Sequence, residues 1–598
     1  MNQLRCTNIK RKALVYFSLL MTYVMIAGCS SPRPLKLIIL GLDAANWSSL
    51  DPLMDADRVP NLSRLRRSGA SGPLQTFIPT ASPAIWTTIA TGQSPDKHGI
   101  KFRVLQLAER GREQELMAAI SSDEREVKAL WNLFSDFSLK SAFIGWWATW
   151  PAEEMYGYMI SDKLHEPRLK RTTFPADLRT QLAEEGLLKP QLPPEEERWV
   201  KDLQSRFRTW RRQVEEGRTK WTGTAPDMKL YFQDLEEKLQ AYRRIMAHDY
   251  QTERITHYLL ETDRDLDVLA PYFWYMDICQ HVFWKYWRPE GYDLDPQELE
   301  LFGDLVPHYY EFIDGVVGRI LDHAGSRAMV VVVSDHGMES YYSERYVNEL
   351  FDVDQLLEDL NLFKRLEDGS PDFNRSRAYQ TAESRQIRLI NVPLNGRERN
   401  ARITEHNHGS QVREIAGVLE SLRTTMTDIP LFSDVRTLQD SVRSYNTDGF
   451  IHYVFEDADI VISLNDHIDL NDSLSVYGRT YPLTRWNRWR PAISGQHHKA
   501  PEGIIILSGE PFAKDSPITG ARVHDVTPTI MAALGLPVAD DLDGRVLDDG
   551  FREEFYDAHP LRRISSYGDR PPFKKERIGD DDLGEDLINQ LKAIGYLR

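Results

Sequence analysis

Carboxylates and imidazoles recur beside short apolar runs in this chain. Asp43 follows one such run, and Asp335 with His336 follows another. Asp277 and His281 are four residues apart, so on a helix both face the same way. His497 and His498 come just before a third apolar run. Alone, an aspartate after a strand is a common helix cap and a histidine a common polar filler. Repeated at several strand ends, they form a mixed nitrogen and oxygen donor set that suits zinc or manganese. Ser82 adds a hydroxyl directly before Pro83, where a helix can begin. That position predicts a helix cap. It also puts a hydroxyl at a positive helix end, where an incoming phosphate is favoured and a nearby metal would make the oxygen nucleophilic.

These residues need elements to position them. Leu35–Leu42 is a short run rich in branched apolar residues and reads as a buried parallel strand. Ala328–Val333 and Gly503–Leu507 repeat the pattern, and Val268–Tyr272 is a weaker fourth candidate. Helical periodicity separates them, over Val59–Ser68 and Leu301–Ala324 for example. Alternating strands and helices predict an α/β fold. Its central sheet is mostly parallel and flanked by helices, with ligands bound beyond the carboxyl ends of the strands. Residues 165–262, charged and helical in period, and 341–492, mixed and loop-rich, break the alternation. They read as two inserted cap regions over the active edge, with surface elaboration as the alternative. In the first, Trp199, Phe207, Trp210, Tyr231 and Leu239 are the expected buried points. The resulting division is a leader (1–28), core segments 29–164, 263–340 and 493–560, the two insertions, and a tail (561–598) that ends in a helical pattern, Leu583–Ile594.

Several blocks together carry a family resemblance. They are GLDAANW (41–47), PTASPAIWTTIATGQSPDKHGI (79–100), GWWATWPAE (145–153), YMDICQHVFWKYW (275–287), VVVSDHGM (331–338), GQHHKAPEGIIILSG (495–509) and HDVTPTIMAALGLPVADDLDGRVL (524–547). In order and spacing the chain resembles the alkaline phosphatase superfamily, in its type I phosphodiesterase/nucleotide pyrophosphatase-like branch of phosphohydrolases and phosphomutases. The resemblance implies an alkaline phosphatase-like core and two divalent metals, usually zinc. Asp43, Ser82, Asp335 and His336 match the ligands of one metal, and Asp277, His281 and His497 those of the other. Ser82 matches the nucleophile, which is Ser or Thr in relatives, with Thr80 as fallback. The implied reaction is phosphoester hydrolysis through a phospho-serine, the two ions clamping the attacking and leaving oxygens. Transfer to an alcohol acceptor, as in a phosphotransferase or phosphomutase, uses the same parts. An inactive envelope-binding lipoprotein that kept the fold is the third reading, and the complete ligand set argues against it.

Departures from the family pattern bear on these assignments. The arginine that sulfatase relatives need after the nucleophile is missing from Pro83-Ala84-Ile85-Trp86, which argues against a sulfatase. His498 stands beside His497, so that ligand could shift by one. Asn46 could donate to a substrate oxygen or simply fill a turn. Arg397 and Arg399, in a segment (387–403) similar to an insert of phosphohydrolase and phosphomutase relatives, could hold a phosphate or be solvated. Trp146, Trp147 and Trp150 could line the site, although packing is the commoner use of such rings.

The chain's 598 residues, at roughly 150 per domain, exceed a single small module. Basic residues number 73 against 90 acidic, a net of −17, which argues against nucleic acid as a partner. Cys6, Cys29 and Cys279 cannot make a disulfide framework. Arg5, Lys10, Arg11 and Lys12 precede an uncharged run, Ala13–Gly28, of signal-peptide length. It ends Ile26-Ala27-Gly28-Cys29, which resembles a bacterial lipobox, with a plain signal peptide or an uncleaved anchor as alternatives. Lipid on Cys29 would anchor the chain to a membrane. Ser30 after it resembles lipoproteins sorted to the outer membrane, so the expected location is the bacterial envelope, facing the periplasm. A small-molecule or lipid- or glycan-linked phosphate ester is the expected substrate.

Overall fold

Six consecutive buried residues, Leu37–Leu42, form strand β1. Its side chains alternate between two cores. Leu37 and Ile39 join one apolar cluster, while Ile38, Leu40 and Leu42 join another on the opposite face. A strand buried on both faces needs a continuous apolar run, because each fully buried apolar side chain contributes roughly 1.5–3 kcal/mol and a polar one would lose it. The computed structural model describes residues 35–572 apart from 78–79, 101–119, 167–168, 223–227, 293, 326, 341–350, 368, 385–386, 438–457, 466, 487–493 and 498–501. Residues 1–34, with the expected leader and Cys29, lie outside the described residues, as do His498 and the expected Leu583–Ile594 helix.

Further along the chain come β2 (Gly69–Gln75), β3 (Ser141–Ile144), β4 (Gly157–Ile160), β5 (Thr173–Phe174), β6 (Val268–Phe273), β7 (Met329–Val333) and β8 (Glu502–Ser508). With two short strands, Ser516–Pro517 and Ala521–Arg522, they make a ten-stranded sheet. Its order from β2 is β2-β8-β7-β1-β6-β3-β4-β5. The pairs β7–β1, β1–β6, β6–β3 and β3–β4 are parallel. Thus the α/β fold with a mostly parallel central sheet flanked by helices holds.

One strand departs from expectation. β8 runs antiparallel to both neighbours, β2 and β7. A continuous apolar run reports burial on two faces and carries no information on direction. The reversal has a consequence for function. An antiparallel strand begins at the edge where its parallel neighbours end, so residues before β8 arrive where residues after β1 and β7 leave. The expected helix Leu301–Ala324 is also two helices. Pro296–Phe302 stops at Gly303, and a new one runs from Leu305 to Ala324.

The first insertion packs into the core. Its long helices α1 (Pro194–Glu215) and α2 (Met228–Thr262) place Phe207, Trp210, Tyr231, Leu239 and Tyr242 in the cluster that covers one face of β1, with Trp199 packed against it. The second carries its own four-stranded antiparallel sheet, ordered Phe432–Thr437, Ile460–Leu464, Ile387–Asn391, Tyr379–Ser384. Its separate apolar core includes Ile390, Ile462, Leu419 and Trp486. Among the described residues no helix is long and apolar enough to cross a membrane.

Candidate functional site

The carboxyl edge of the sheet gathers the chemistry-bearing residues. Asp43 leaves β1, and Asp335 and His336 leave β7. Asp277 and His281 lie on the first turns of α3 (Tyr275–Trp287), which follows β6. His497 arrives just before β8. All six are buried. Donor atoms of Asp43, Asp335 and His336 lie within 4.8 Å of one another, and so do those of Asp277, His336 and His497. His336 therefore sits between the two groups. His281 Nε2 is 3.2 Å from Asp277 Oδ1, as the four-residue spacing predicted.

Each imidazole is held through one nitrogen. His281 Nδ1 donates to the Gly495 carbonyl (2.7 Å), and His336 Nδ1 to the Gly337 carbonyl (3.0 Å). His497 Nδ1 bonds the Thr80 hydroxyl, and its ring stacks on His336 with centroids 3.9 Å apart. Anchoring one ring nitrogen fixes the tautomer and aims the other, which is how ligand histidines are commonly presented. Thr80, the fallback nucleophile, is thus engaged with His497.

The carboxylates point the same way. Asp335 Oδ2 and Asp43 Oδ1 are buried and accept no hydrogen bond, lying 3.3 Å and 3.6 Å from His336 Nε2. Among the described residues neither Asp43 nor Asp335 pairs with a lysine or arginine. Burial, then the charges of Asp335 and Asp277, push the Asp43 carboxyl well above its ordinary range. Buried carboxylates this close are costly unless a cation compensates them, so the donor set fits divalent metal.

Ser82 opens helix α4 (Ser82–Thr91 in the chain, ahead of the insertion helices), with Pro83 in its first turn. The cap position falls on Ala81, and no side chain caps this end. This corrects the expectation that Ser82 is the cap. Its hydroxyl is instead half-buried and 3.3 Å from His336 Nε2. Asn46 is a cap, for helix Trp47–Asp55. Its Oδ1 accepts from Ser49 N (2.9 Å) and Ser48 Oγ (2.6 Å), and its amide donates to the Ala44 carbonyl (3.2 Å). A phosphate contact would have to use the second hydrogen of that amide. Arg397 is bound within the second insertion by Asp459 (2.8 Å) and Glu398 (2.6 Å), and Arg399 is exposed. No contact among the described residues joins either to the cluster.

Tyr272 escaped the sequence reading. It is the register partner of Gly41, and its hydroxyl donates to Asp43 Oδ2. Trp147 Nε1 donates in turn to the Tyr272 oxygen (2.8 Å). Trp146 and Trp150 are buried and spend their ring nitrogens on the carbonyls of Ala270 and Lys170, as packing residues do. Gly41 makes room: a Cβ there would lie 2.8 Å from the Tyr272 ring and 3.0 Å from Trp86. Gly41→Ala should therefore cost about 1–3 kcal/mol as overpacking. Urea unfolding checks this, and unchanged stability would show that the ring yields without strain. A cavity of about 30 Å³ lies beside Tyr272, lined also by Ile144, His165, Gln251 and Trp274. His165 and Gln251 bring the first insertion to this edge.

An α/β sheet with buried carboxylates, imidazoles and a helix-start serine at its carboxyl edge defines a phosphoric ester hydrolase of the alkaline phosphatase superfamily. The type I phosphodiesterase / nucleotide pyrophosphatase family matches residues 37–441, and the chain belongs to it. The family is metal-dependent, and small phosphate esters such as nucleotides fit it. No curated protein sequence matches the chain. Among solved structures it is similar to phosphonoacetate hydrolase from Sinorhizobium meliloti 1021 in complex with phosphonoformate (14% identity, 83% of this chain, 94% of that one, TM-score 0.45). It is also similar to an inactive variant of murine ectonucleotide pyrophosphatase/phosphodiesterase 5 in complex with AMP (13% identity, 84% and 96%, TM-score 0.45).

Proposed function

We propose that this chain is a two-metal phosphohydrolase acting on a phosphodiester or an alcohol-linked phosphate ester through phospho-Ser82. The observation that carries the reading is the state of Ser82. Its hydroxyl is not consumed by capping, and it lies 3.3 Å from His336 Nε2, beside two buried carboxylate oxygens that accept no hydrogen bond. Asp43, Ser82, Asp335 and His336 would hold one ion, and Asp277, His281 and His497 the other, with zinc the first choice and manganese the second. Divalent ions there would supply positive charge to the attacking and leaving oxygens of an in-line displacement.

The chain's own groups do the rest. Thr80, Gly495 and Gly337 fix the three imidazoles. The helix that starts at Ser82 points its positive end at the phosphate. Ser82 Oγ gives up its proton to solvent and forms the new bond to phosphorus as the alcohol oxygen leaves with the electron pair and takes a proton from water. A water oxygen then attacks phosphorus and loses its proton, and the bond to Ser82 breaks with its electron pair on Oγ, which is reprotonated. A monoester substrate releases phosphate, while a diester releases a phosphate monoester.

The test is to offer aryl phosphate monoesters, diesters and sulfates to the purified chain with added zinc or manganese. Phosphate esters should turn over and sulfates should not. Adding an alcohol acceptor separates hydrolysis from transfer, since a phosphotransferase would give the new phosphate ester in place of free phosphate. Metal binding without turnover of any ester would overturn the proposal.

The chain is exported on this proposal. The lipobox-like Ile26-Ala27-Gly28-Cys29 supports a lipid anchor on Cys29 in the outer membrane, with the catalytic part facing the periplasm. Cys29→Ala should abolish incorporation of a radiolabelled acyl chain, because that thiol is the only acceptor at the site. Label retained by the variant would refute the anchor.

A further inference from the structure

Two side chains that touch no substrate on the above reading form a hydrogen-bond relay into the site. Trp147 Nε1 donates to Tyr272 Oη (2.8 Å), and Tyr272 donates to Asp43 Oδ2. The relay is braced on every side. The Tyr272 ring packs on Trp86 (centroids 4.4 Å apart) in the space that Gly41 leaves, and Trp147 meets Trp274 edge-on at 5.1 Å. The Lys163 ammonium sits over the Trp147 ring at 5.4 Å and pairs with Asp162 at 3.3 Å. Tyr272 and Trp147 come from different strand ends, so the relay forms only when β6 and the loop after β3 are both in place.

We propose that Tyr272, supported by Trp147, is a positioning residue that engages one oxygen of Asp43 so that only Oδ1 is presented to a divalent cation. The chemistry is that of an outer partner. A donor on one carboxylate oxygen fixes the rotation of the group and withdraws charge from that oxygen, leaving the other as the donor atom. Asp43 Oδ1 fits this, since it accepts no hydrogen bond and is turned toward His336 Nε2. A tyrosine that merely satisfied a buried polar group would leave cation binding indifferent to its hydroxyl. The inference rests on the metal reading above, and its test separates the two.

Zinc affinity is measured by competition with a chromophoric chelator for the full chain and for Tyr272→Phe, Trp147→Phe, Asp43→Ala and the double variant Asp43→Ala/Tyr272→Phe. Tyr272→Phe keeps the ring and its packing. It should weaken zinc binding by about 10- to 100-fold, the usual cost of losing an outer partner. Trp147→Phe, which contacts no ligand, should weaken it in the same direction by less, and it carries the test should Tyr272→Phe lose its fold. In the Asp43→Ala background the hydroxyl has nothing to hold, so adding Tyr272→Phe should leave the affinity unchanged within about twofold, as the removed interaction cannot be lost twice. Wild-type affinity in Tyr272→Phe, or equal weakening in both backgrounds, overturns the relay alone. A wild-type chain that takes up neither zinc nor manganese overturns the metal reading and the relay with it.

Discussion

Replacing Ser82 by alanine is expected to lower turnover by ~10³-fold or more, as loss of a covalent nucleophile does in enzymes whose remaining groups still bind the transition state. Bound metal should be retained. Six other ligand candidates, Asp43, Asp335, His336, Asp277, His281 and His497, stay in place, and all are buried. The serine itself is half-buried, begins a helix and is spent on no cap. Its removal takes one long hydrogen bond (3.3 Å) from the buried His336 Nε2, so stability without metal should fall by no more than about 1–3 kcal/mol. Ser82→Thr should keep part of the activity, because a hydroxyl stays at the helix start and the family resemblance admits either residue. Thr80 is the contrasting case. Its hydroxyl bonds His497 Nδ1, so Thr80→Val should disturb a ligand without removing the group that carries phosphate. Quenching a reaction in acid and mapping the trapped phosphate by mass spectrometry decides between them. Phosphate on Thr80, or full activity in Ser82→Ala, would move the nucleophile and reopen the first ligand group.

Much of this site is readable from the chain because strand ends announce themselves. The runs before Asp43 and Asp335 are apolar on both faces, and the first polar residues after them are Asp43 in one case and Ser334-Asp335-His336 in the other. The spacing of Asp277 and His281 needs only one helix to bring them together. Other parts are not readable in that way. β2 is GASGPLQ, too rich in small residues to look like a strand, and its glycines exist to let β8 and Ile518 approach. β3 and β4 are four residues each and too short for periodicity. The place of His497 becomes physically explicable only when β8 is seen to run backwards, because direction is absent from an apolar run. Ser82 shows the converse failure. Local chemistry favours a serine cap before proline, and tertiary contact with His336 took the hydroxyl instead. Tyr272 is the hardest case, since its role depends on a pairing register with Gly41, set by residues over 200 positions apart.

Asp335→Ala should separate stability from function in opposite directions. Asp335 is fully buried, its Oδ1 accepts from Ala44 N (3.4 Å), and its Oδ2 accepts nothing. In the chelated protein it faces Asp43 across a short gap, and like charges in a buried site oppose each other. Removing it relieves that repulsion at the expense of a small cavity and one weak hydrogen bond, so the chelated variant should unfold at or near the temperature of the chelated wild type. With metal present the order reverses. A ligand that binds only the folded state stabilises it by about 4.1 kcal/mol at a concentration 1,000-fold above its dissociation constant. The wild type should therefore gain a clear rise in thermal midpoint on adding zinc or manganese, while the variant gains much less and loses most of its turnover. His281→Ala, at the other ligand group, should show the same split. The measurement is a pair of melting curves for each protein, with and without metal, beside metal content by elemental analysis. A variant that gains as much from metal as the wild type would remove Asp335 from the ligand set. Activity in the wild type that survives a chelator would end the two-metal mechanism.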